Sequence, residues 1–296
     1  MQDFIAVLDF GSQYAHLIAK RIRHLGAYTK IFSPSAKENL LQDAKGIVLS
    51  GGPASVYSTD IPKFNSNILN LDLPILGLCY GHQLIAKEFG GAITNTGKGE
   101  FGKAILQQTS DFPLWQNVSF PNKVWMSHQD SVTKCPPDFK VTGVTESGNV
   151  AAMRHRKRRI YTLQFHPEVN DTEQGQKMLD NFINTCEICS KWSMETFIKE
   201  TTERLQQEVG ERKVLMFISG GVDSSVAFAL LNKALGKEKI LGLYINNGFM
   251  RKDESTEIIE RYRQLGYTNI QLRDYSTFFL DAVANQVDPQ IKRQKI

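Results

Sequence analysis

The chain has no run of about 18 uncharged apolar residues, the length a bilayer-spanning helix needs, and its first segment, MQDFIAVLDFGSQ, lacks the basic start and apolar core of an export signal. A cytoplasmic protein without membrane association is expected. Cysteine is scarce: Cys79, Cys135, Cys186 and Cys189 are too few and too irregularly spaced for the disulfide framework of a small secreted domain. An excess of one charge is also missing, since 35 basic residues against 31 acidic ones leave a net charge of +4. That mild surplus suits phosphate-bearing substrates and calls for no polyanionic partner. Repeats and low-complexity stretches are absent too. What is present, 41% apolar and 22% charged residues over 296 positions, suffices for two ordinary domains with separate cores.

An apolar stretch from Ile5 to Phe10, a Gly-Ser turn, a helical stretch from Tyr14 to Leu25 and a second apolar stretch from Ala27 to Phe32 predict a βαβ unit. GIVLS (46–50) and PILGL (74–78), each stopped by glycine or a turn, read as further buried parallel strands. Between about 92 and 165 the texture changes to short alternating segments such as KAILQQ, KVWMSH and RIYTLQF, which predict an antiparallel extension. Residues 171–209 are polar and helical in period, with Ser193 as a candidate N-cap, and the domain boundary is expected near 190. A second βαβ block follows: a strand over 213–218, a Gly-rich turn, a helix from Ser225 to Leu235, a strand over 239–245, a helix around 253–265 and a strand near 269–272. The expected fold class is α/β, with two doubly wound parallel-sheet domains over 1–190 and 191–296.

Gly77-Leu78-Cys79-Tyr80-Gly81 lies where an apolar strand gives way to a helical stretch, His82 to Phe89. Glycines on both sides of one residue permit a cramped turn that thrusts the Cys79 sulfur off the sheet, and the adjacent helix N-terminus favours thiolate. Gln164-Phe165-His166-Pro167-Glu168 follows another apolar strand, and residues two apart in extended chain point the same way, so imidazole and carboxylate can meet. A base and its orienter are thereby supplied to a cysteine nucleophile. Ser50-Gly51-Gly52-Pro53 ends a parallel strand with unobstructed N–H groups; with the Tyr80 amide, these can receive a developing oxyanion.

Over roughly residues 3 to 185 the SGGP, G-x-C-x-G-x-Q and H-P-E signatures, in this order, resemble those of the class I glutamine amidotransferases. The resemblance implies a flavodoxin-like domain that hydrolyses the glutamine side-chain amide without a cofactor. It casts Cys79, His166 and Glu168 as catalytic, Gly52 and Tyr80 as the oxyanion hole, and Gly51 and Gln83 as glutamine-binding. MSHQDSV (126–132) is similar to a family loop by the glutamine site, which brings in Ser127, His128 and Gln129; Gln129 stands where the family usually has glycine.

Ser219-Gly220-Gly221-Val222-Asp223-Ser224-Ser225 lies between an apolar strand and a helix, so its successive N–H groups and three hydroxyls can wrap a phosphate chain. It lacks the G-K-[ST] ending of a Walker A loop. SGGVDSS resembles the pyrophosphate loop of ATP pyrophosphatases, an adenine-nucleotide hydrolase-like fold. All seven residues and Ile245 are implied ATP contacts, with Asp223 a candidate partner for Mg²⁺. Asn246 replaces the family's usual aspartate. An amidotransferase followed by this loop, with FIAVLDFGSQY, GEFGKA and FMRKDE, is similar to the glutamine-hydrolysing GMP synthase family. That family aminates XMP to GMP with glutamine and ATP and forms homodimers through a region beyond DPQIKRQKI. The stretch in hand is expected to support glutamine hydrolysis at most. The competing expectation is a glutaminase whose nucleotide half only regulates.

Several suggestive features are read as structural. Arg154-His155-Arg156-Lys157-Arg158-Arg159 lies between strand-like segments without interleaved aromatics, which favours a hairpin turn over a nucleic-acid site. Cys186-x-x-Cys189 has no second pair to complete a zinc site. His82, three residues past Cys79, is carried away from the elbow by its helix.

Overall fold

Alternation along the first strand decides how the N-terminal half is layered. β1 (Phe4–Leu8) is buried throughout, yet Ile5 and Val7 join one apolar cluster while Phe4, Ala6 and Leu8 join another, because successive strand side chains leave on opposite faces. Both faces therefore need covering. α1 (Ala15–His24) covers one with Ile18 and Ile22, and α2 (Tyr80–Glu88) covers the other with Leu84 and Ile85. α3 (Gly175–Thr185) joins α1 on the first face through Leu179 and Phe182. The computed structural model describes residues 3–53, 55–58, 62–189 and 191–296, the side chains of 96–98 excepted. Contacts divide the chain into two units, 1–193 and 194–296.

The first unit is built on a nine-stranded sheet. β2 (Thr29–Phe32), β1, β3 (Ala44–Leu49), β4 (Ile75–Leu78) and β9 (Ile160–Leu163) lie side by side and parallel. The sheet continues antiparallel through β8 (Val150–His155), β7 (Phe139–Thr145), β5 (Ala92–Gln108) and β6 (Asn122–Lys134). Two expectations need correction here. RIYTLQF, assigned to the antiparallel extension, supplies β9, which pairs parallel with β4 on one side and antiparallel with β8 on the other. The segments expected to be short include a hairpin of 17- and 13-residue strands, β5 and β6. Pairing that shifts register between Asn95 and Glu100 and then runs on across Gly102 sustains them.

The polar helical stretch over 171–209 is two helices, α3 and α4 (Met194–Val209). The break comes at Glu187, whose φ of +51° no helix can continue; the Trp192 amide then donates to the Gly26 carbonyl at 2.7 Å. Neither glycine nor proline marks this break, so composition could not reveal it.

In the second unit β10 (Val214–Ile218), β11 (Ile240–Asn246) and β12 (Ile270–Asp274) pair parallel in chain order. α5 (Val222–Leu235) and α6 (Glu254–Gln264) bring Phe228, Ile259 and Tyr262 against Ile218, Ile240, Tyr244 and Ile270, and α4 packs on α5. α7 (Ser276–Val283) and α8 (Pro289–Lys295) follow. The alternate β10 positions Leu215 and Phe217 are 56% and 61% exposed, so this sheet has one open apolar face. α5 begins three residues before the expected Ser225, because extended Gly221 caps it and places Val222, Asp223 and Ser224 in its first turn. Among the described residues no helix is long and apolar enough to cross a membrane.

α2 approaches its neighbouring strands closely. A Cβ on Gly81 would lie 2.5 Å from the Leu49 carbonyl oxygen, and one on Gly77 would lie 2.6 Å from that of Gly81. Both obstacles are backbone and cannot step aside. Gly81→Ala is expected to lower stability by about 2 kcal/mol or more, although helix propensity alone would favour alanine by about 1 kcal/mol. The urea midpoint of the purified variant checks this; a midpoint at or above wild type would contradict it.

Candidate active site

Cys79 joins β4 to α2 with φ +52° and ψ −100°, a backbone conformation that residues with a Cβ avoid. Neighbouring strands impose it. The Cys79 amide donates to the Leu163 carbonyl of β9 at 2.8 Å, and the Gly81 amide donates to the Ser50 carbonyl at the end of β3 at 3.2 Å. The result presents the thiol at the start of α2, where the helix dipole favours negative charge. The sulfur lies 3.6 Å from the Ser127 carbonyl oxygen of β6.

His166 and Glu168 follow β9, the strand beside the elbow. The His166 Nδ1 donates to Glu168 Oε1 at 2.8 Å, with the two side chains 3% and 0% exposed. Burial alone would lower the imidazole pKa, but the Glu168 carboxylate and the Cys79 sulfur outweigh it and hold His166 well above the usual value. The turn itself is fastened from three sides. The His166 amide donates to the Trp125 carbonyl at 3.0 Å, Thr172 Oγ1 donates to the His166 carbonyl at 2.7 Å, and Arg21 Nε from α1 donates to the Glu168 carbonyl at 2.8 Å. The Tyr14 ring covers the imidazole at a centroid distance of 4.9 Å.

Ser50 fixes the glycine turn opposite, since its hydroxyl accepts from the Phe10 amide at 3.1 Å and donates to the Gly51 carbonyl at 2.8 Å. A Cβ on Gly51 would come within 3.4 Å of the His166 ring, and one on Gly52 within 3.2 Å of the Tyr80 ring. The Tyr80 amide belongs to the first turn of α2 and has no intrahelical acceptor. Gly52, Tyr80, Cys79 and Gln83 form one wall of a cleft of about 550 Å³, and Ser127, His128 and Gln129 form part of the other. A sulfur, a charged imidazole pair and free amides around such a cleft can attack an amide carbonyl and stabilise its oxyanion.

The segment 126–132, expected as a loop, is strand: it lies within β6 and pairs with β5. Gln129 is absent from the positive-φ residues, so the backbone there does not require the family's glycine. Gln83 is held in place, its Nε2 donating to the Asp130 carbonyl at 2.7 Å and to Gln164 Oε1 at 3.3 Å. Nothing in the local sequence pattern indicates that Gln164, Tyr14 and Arg21 bear on the site, since each acts through a partner far along the chain. For Glu100 the available signal was GEFGKA.

The second candidate site lies where β10 ends. Gly220 has φ +78°, and a Cβ there would strike Ile258 Cδ1 at 2.4 Å. The three hydroxyls are organised locally: Ser219 Oγ lies 3.1 Å from Ser224 Oγ, and Ser225 Oγ donates to the Gly221 carbonyl at 2.8 Å. Val222 and Asp223 occupy the exposed first turn of α5. Beside Ser219 a pocket of about 260 Å³ is lined by Phe217, Tyr244 and Ile245. Asp223 is the carboxylate of this loop, and no group of three His, Cys, Asp or Glu forms a metal cluster among the described residues. A single carboxylate fits Mg²⁺ held chiefly by phosphate oxygens.

His82 is fully buried with Nδ1 2.8 Å from Thr162 Oγ1, and burial brings its pKa down to about 3. The basic run forms the β8–β9 turn, where Arg158 donates to the Leu69 carbonyl and Arg159 reaches Glu187 at 3.0 Å. Cys186 is buried against Phe182, and burial pushes its thiol up to about 12; Cys189 is exposed.

Residues 6–186 match the family model for class-I glutamine amidotransferases, and residues 193–294 match that for NAD synthase. A probable glutamine-hydrolysing GMP synthase of Leptospira interrogans is 44% identical over 295 residues, covering 98% of this chain and 48% of that protein. The GMP synthase of Campylobacter hominis is also 44% identical, with 99% and 58% covered. The chain thus spans about half the length of the curated relatives it matches. A crystal structure of a Thermoplasma acidophilum protein, described as a GMP synthase subunit, superposes with a TM-score of 0.57 at 29% identity, over 69% of this chain and 98% of that one.

The raised His166 pKa has a definite sign. The charged pair stabilises the fold fully below the unfolded imidazole value of about 6.5 and is lost as pH rises through the folded value. In Glu168→Gln the charge that opposes burial most strongly is gone and only the Cys79 sulfur still opposes it, so the His166 pKa is expected to fall and most of this contribution to stability to disappear. An NMR titration of the imidazole checks it; an unchanged pKa would refute the assigned cause.

Proposed function

The chain belongs to the class-I glutamine amidotransferase family, and on that premise we propose that it hydrolyses the side-chain amide of glutamine at Cys79 to supply ammonia for a GMP synthase. The convergence of the buried His166–Glu168 pair with the Cys79 elbow carries this proposal. Cys79 Sγ attacks the amide carbon while His166 holds the thiol proton and passes it to the departing nitrogen. Ammonia leaves and a thioester remains; His166 then takes a proton from water, whose oxygen displaces the sulfur to release glutamate. Glu168 keeps Nδ1 protonated so that Nε2 faces the sulfur. The Gly52 and Tyr80 amides receive the oxyanion, and Gly51, Gln83, Ser127, His128 and Gln129 hold the amino-acid end.

In the second unit the loop from Ser219 to Ser225, with Ile245, binds ATP. Its first-turn amides and hydroxyls take the phosphates, and Asp223 would hold a Mg²⁺, which would supply neutralisation of their charge. The names borne by the relatives support the purpose: ATP is cleaved to AMP and pyrophosphate to activate XMP, and ammonia displaces the adenylyl group to give GMP. Such an enzyme is a carbon–nitrogen ligase that uses glutamine as its amide donor, and a homodimer is its proposed assembly.

Cys79→Ala is expected to lower glutamate release by about 10³-fold or more, the scale on which loss of a nucleophile acts, while ATP binding changes less than about twofold because the loop belongs to another unit. Glutamate release and isothermal titration with ATP check both halves. Retained hydrolysis in the variant would sink the proposal.

A further inference from the structure

Glu100 lies on β5 with its Cα in register with that of His128 on β6. Its carboxylate is 13% exposed and the imidazole 2% exposed. Oε2 accepts from His128 Nε2 at 3.2 Å, and Oε1 accepts from Thr145 Oγ1 at 2.8 Å and from Ser147 Oγ. The other imidazole nitrogen, Nδ1, meets the Asp130 carbonyl oxygen at 2.9 Å. The same carbonyl oxygen accepts from Gln83 Nε2 at 2.7 Å. One continuous set of bonds therefore runs from Glu100 through His128 to Asp130 and Gln83, and the next carbonyl before His128, that of Ser127, faces the Cys79 sulfur at 3.6 Å.

We propose that Glu100 is a positioning residue for glutamine: it locks the His128 ring and the 127–130 stretch of β6 so that Gln83 and the cleft wall meet the amino-acid end of the substrate. This rests on the hydrolysis proposed above and extends it to a residue outside the cleft lining. Glu100 touches neither the sulfur nor the cleft, so its effect is on binding rather than on the chemical step. Burial alone would raise its pKa, but donors from His128, Ser147 and Thr145 outweigh that and bring it to about 2, so the carboxylate remains ionised and an acceptor at any working pH. An isosteric amide is not equivalent to it: a glutamine carries no charge, and its NH₂ can pair with His128 Nε2 only when that nitrogen has given up its proton, so the charge-assisted bonds of the carboxylate are lost.

The experiment compares wild type, Glu100→Gln and Glu100→Ala by alkylation of Cys79 with iodoacetamide, read at that residue by peptide mass spectrometry, over a series of glutamine concentrations. The expected result is a rise of about tenfold or more in the glutamine concentration that gives half-protection, from the loss of charge-assisted bonds. The unprotected alkylation rate stays within about threefold of wild type, since the elbow is untouched. Where glutamate release is measured, KM rises with kcat largely retained. Half-protection unchanged in both variants overturns the role of Glu100 alone. Loss of alkylation, protection and cooperative unfolding together in both variants makes Glu100 merely structural and also overturns it. Wild type that glutamine protects at no concentration overturns both the hydrolase proposal and this extension, an outcome distinct from unchanged protection.

Discussion

A carboxylate with no exposed surface costs several kcal/mol unless nearby groups compensate it, and much of the first unit is arranged so that Glu168 is compensated by a single imidazole. Only Oε1 is paired; Oε2 is buried without a partner. The pair therefore tolerates little movement, and the surrounding structure removes it. Arg21 from α1 fastens the Glu168 carbonyl, Thr172 fastens that of His166, and Trp125 of β6 accepts from the His166 amide. Two elements far apart in sequence, α1 and β6, thus converge on one turn after β9. β9 lies between the parallel and antiparallel halves of the sheet, so the turn that leaves it is reached by both β4, which delivers the sulfur, and β6, which supplies the opposite wall.

Much of this was legible in the sequence because glycine and short-range geometry leave local signatures. G-L-C-Y-G marked the elbow, since no other residue permits the backbone contacts made by positions 77 and 81. H-P-E marked the pair because residues two apart in an extended chain share a face. The antiparallel part was less legible. RIYTLQF alternates like a strand of an antiparallel extension and is antiparallel to β8, yet its other neighbour, β4, is parallel, and only the whole sheet order decides that. The network of Glu100 was hidden for a related reason: its partners are fixed by the register of a long hairpin, and no pattern within either strand specifies that register.

The second unit shows a different limit. Its alternating strands correctly foretold a parallel block, and the glycine loop ends up at the C-terminal end of β10, where ligands of open α/β sheets bind. The start of α5 was misplaced because Val222, Asp223 and Ser224 read as part of the Gly-rich turn, although the Ser224 and Ser225 hydroxyls reach back to the Gly221 carbonyl and accommodate a first helical turn. Leu215 and Phe217 are apolar yet exposed, because they point away from the face that α5 and α6 cover.

The conformation of Cys79 sets stability and chemistry at odds within one residue. Glycine would adopt φ +52° without penalty and would relax the link between β4 and α2, but it carries no sulfur. The strain is retained at the position where a side chain must project from a backbone bend that disfavours side chains, and the surrounding bonds to Leu163 and Ser50 hold it there. Substitutions that loosen those bonds would let the bend unwind toward ordinary helix geometry, so the nucleophile would swing away from the imidazole before the sheet itself came apart.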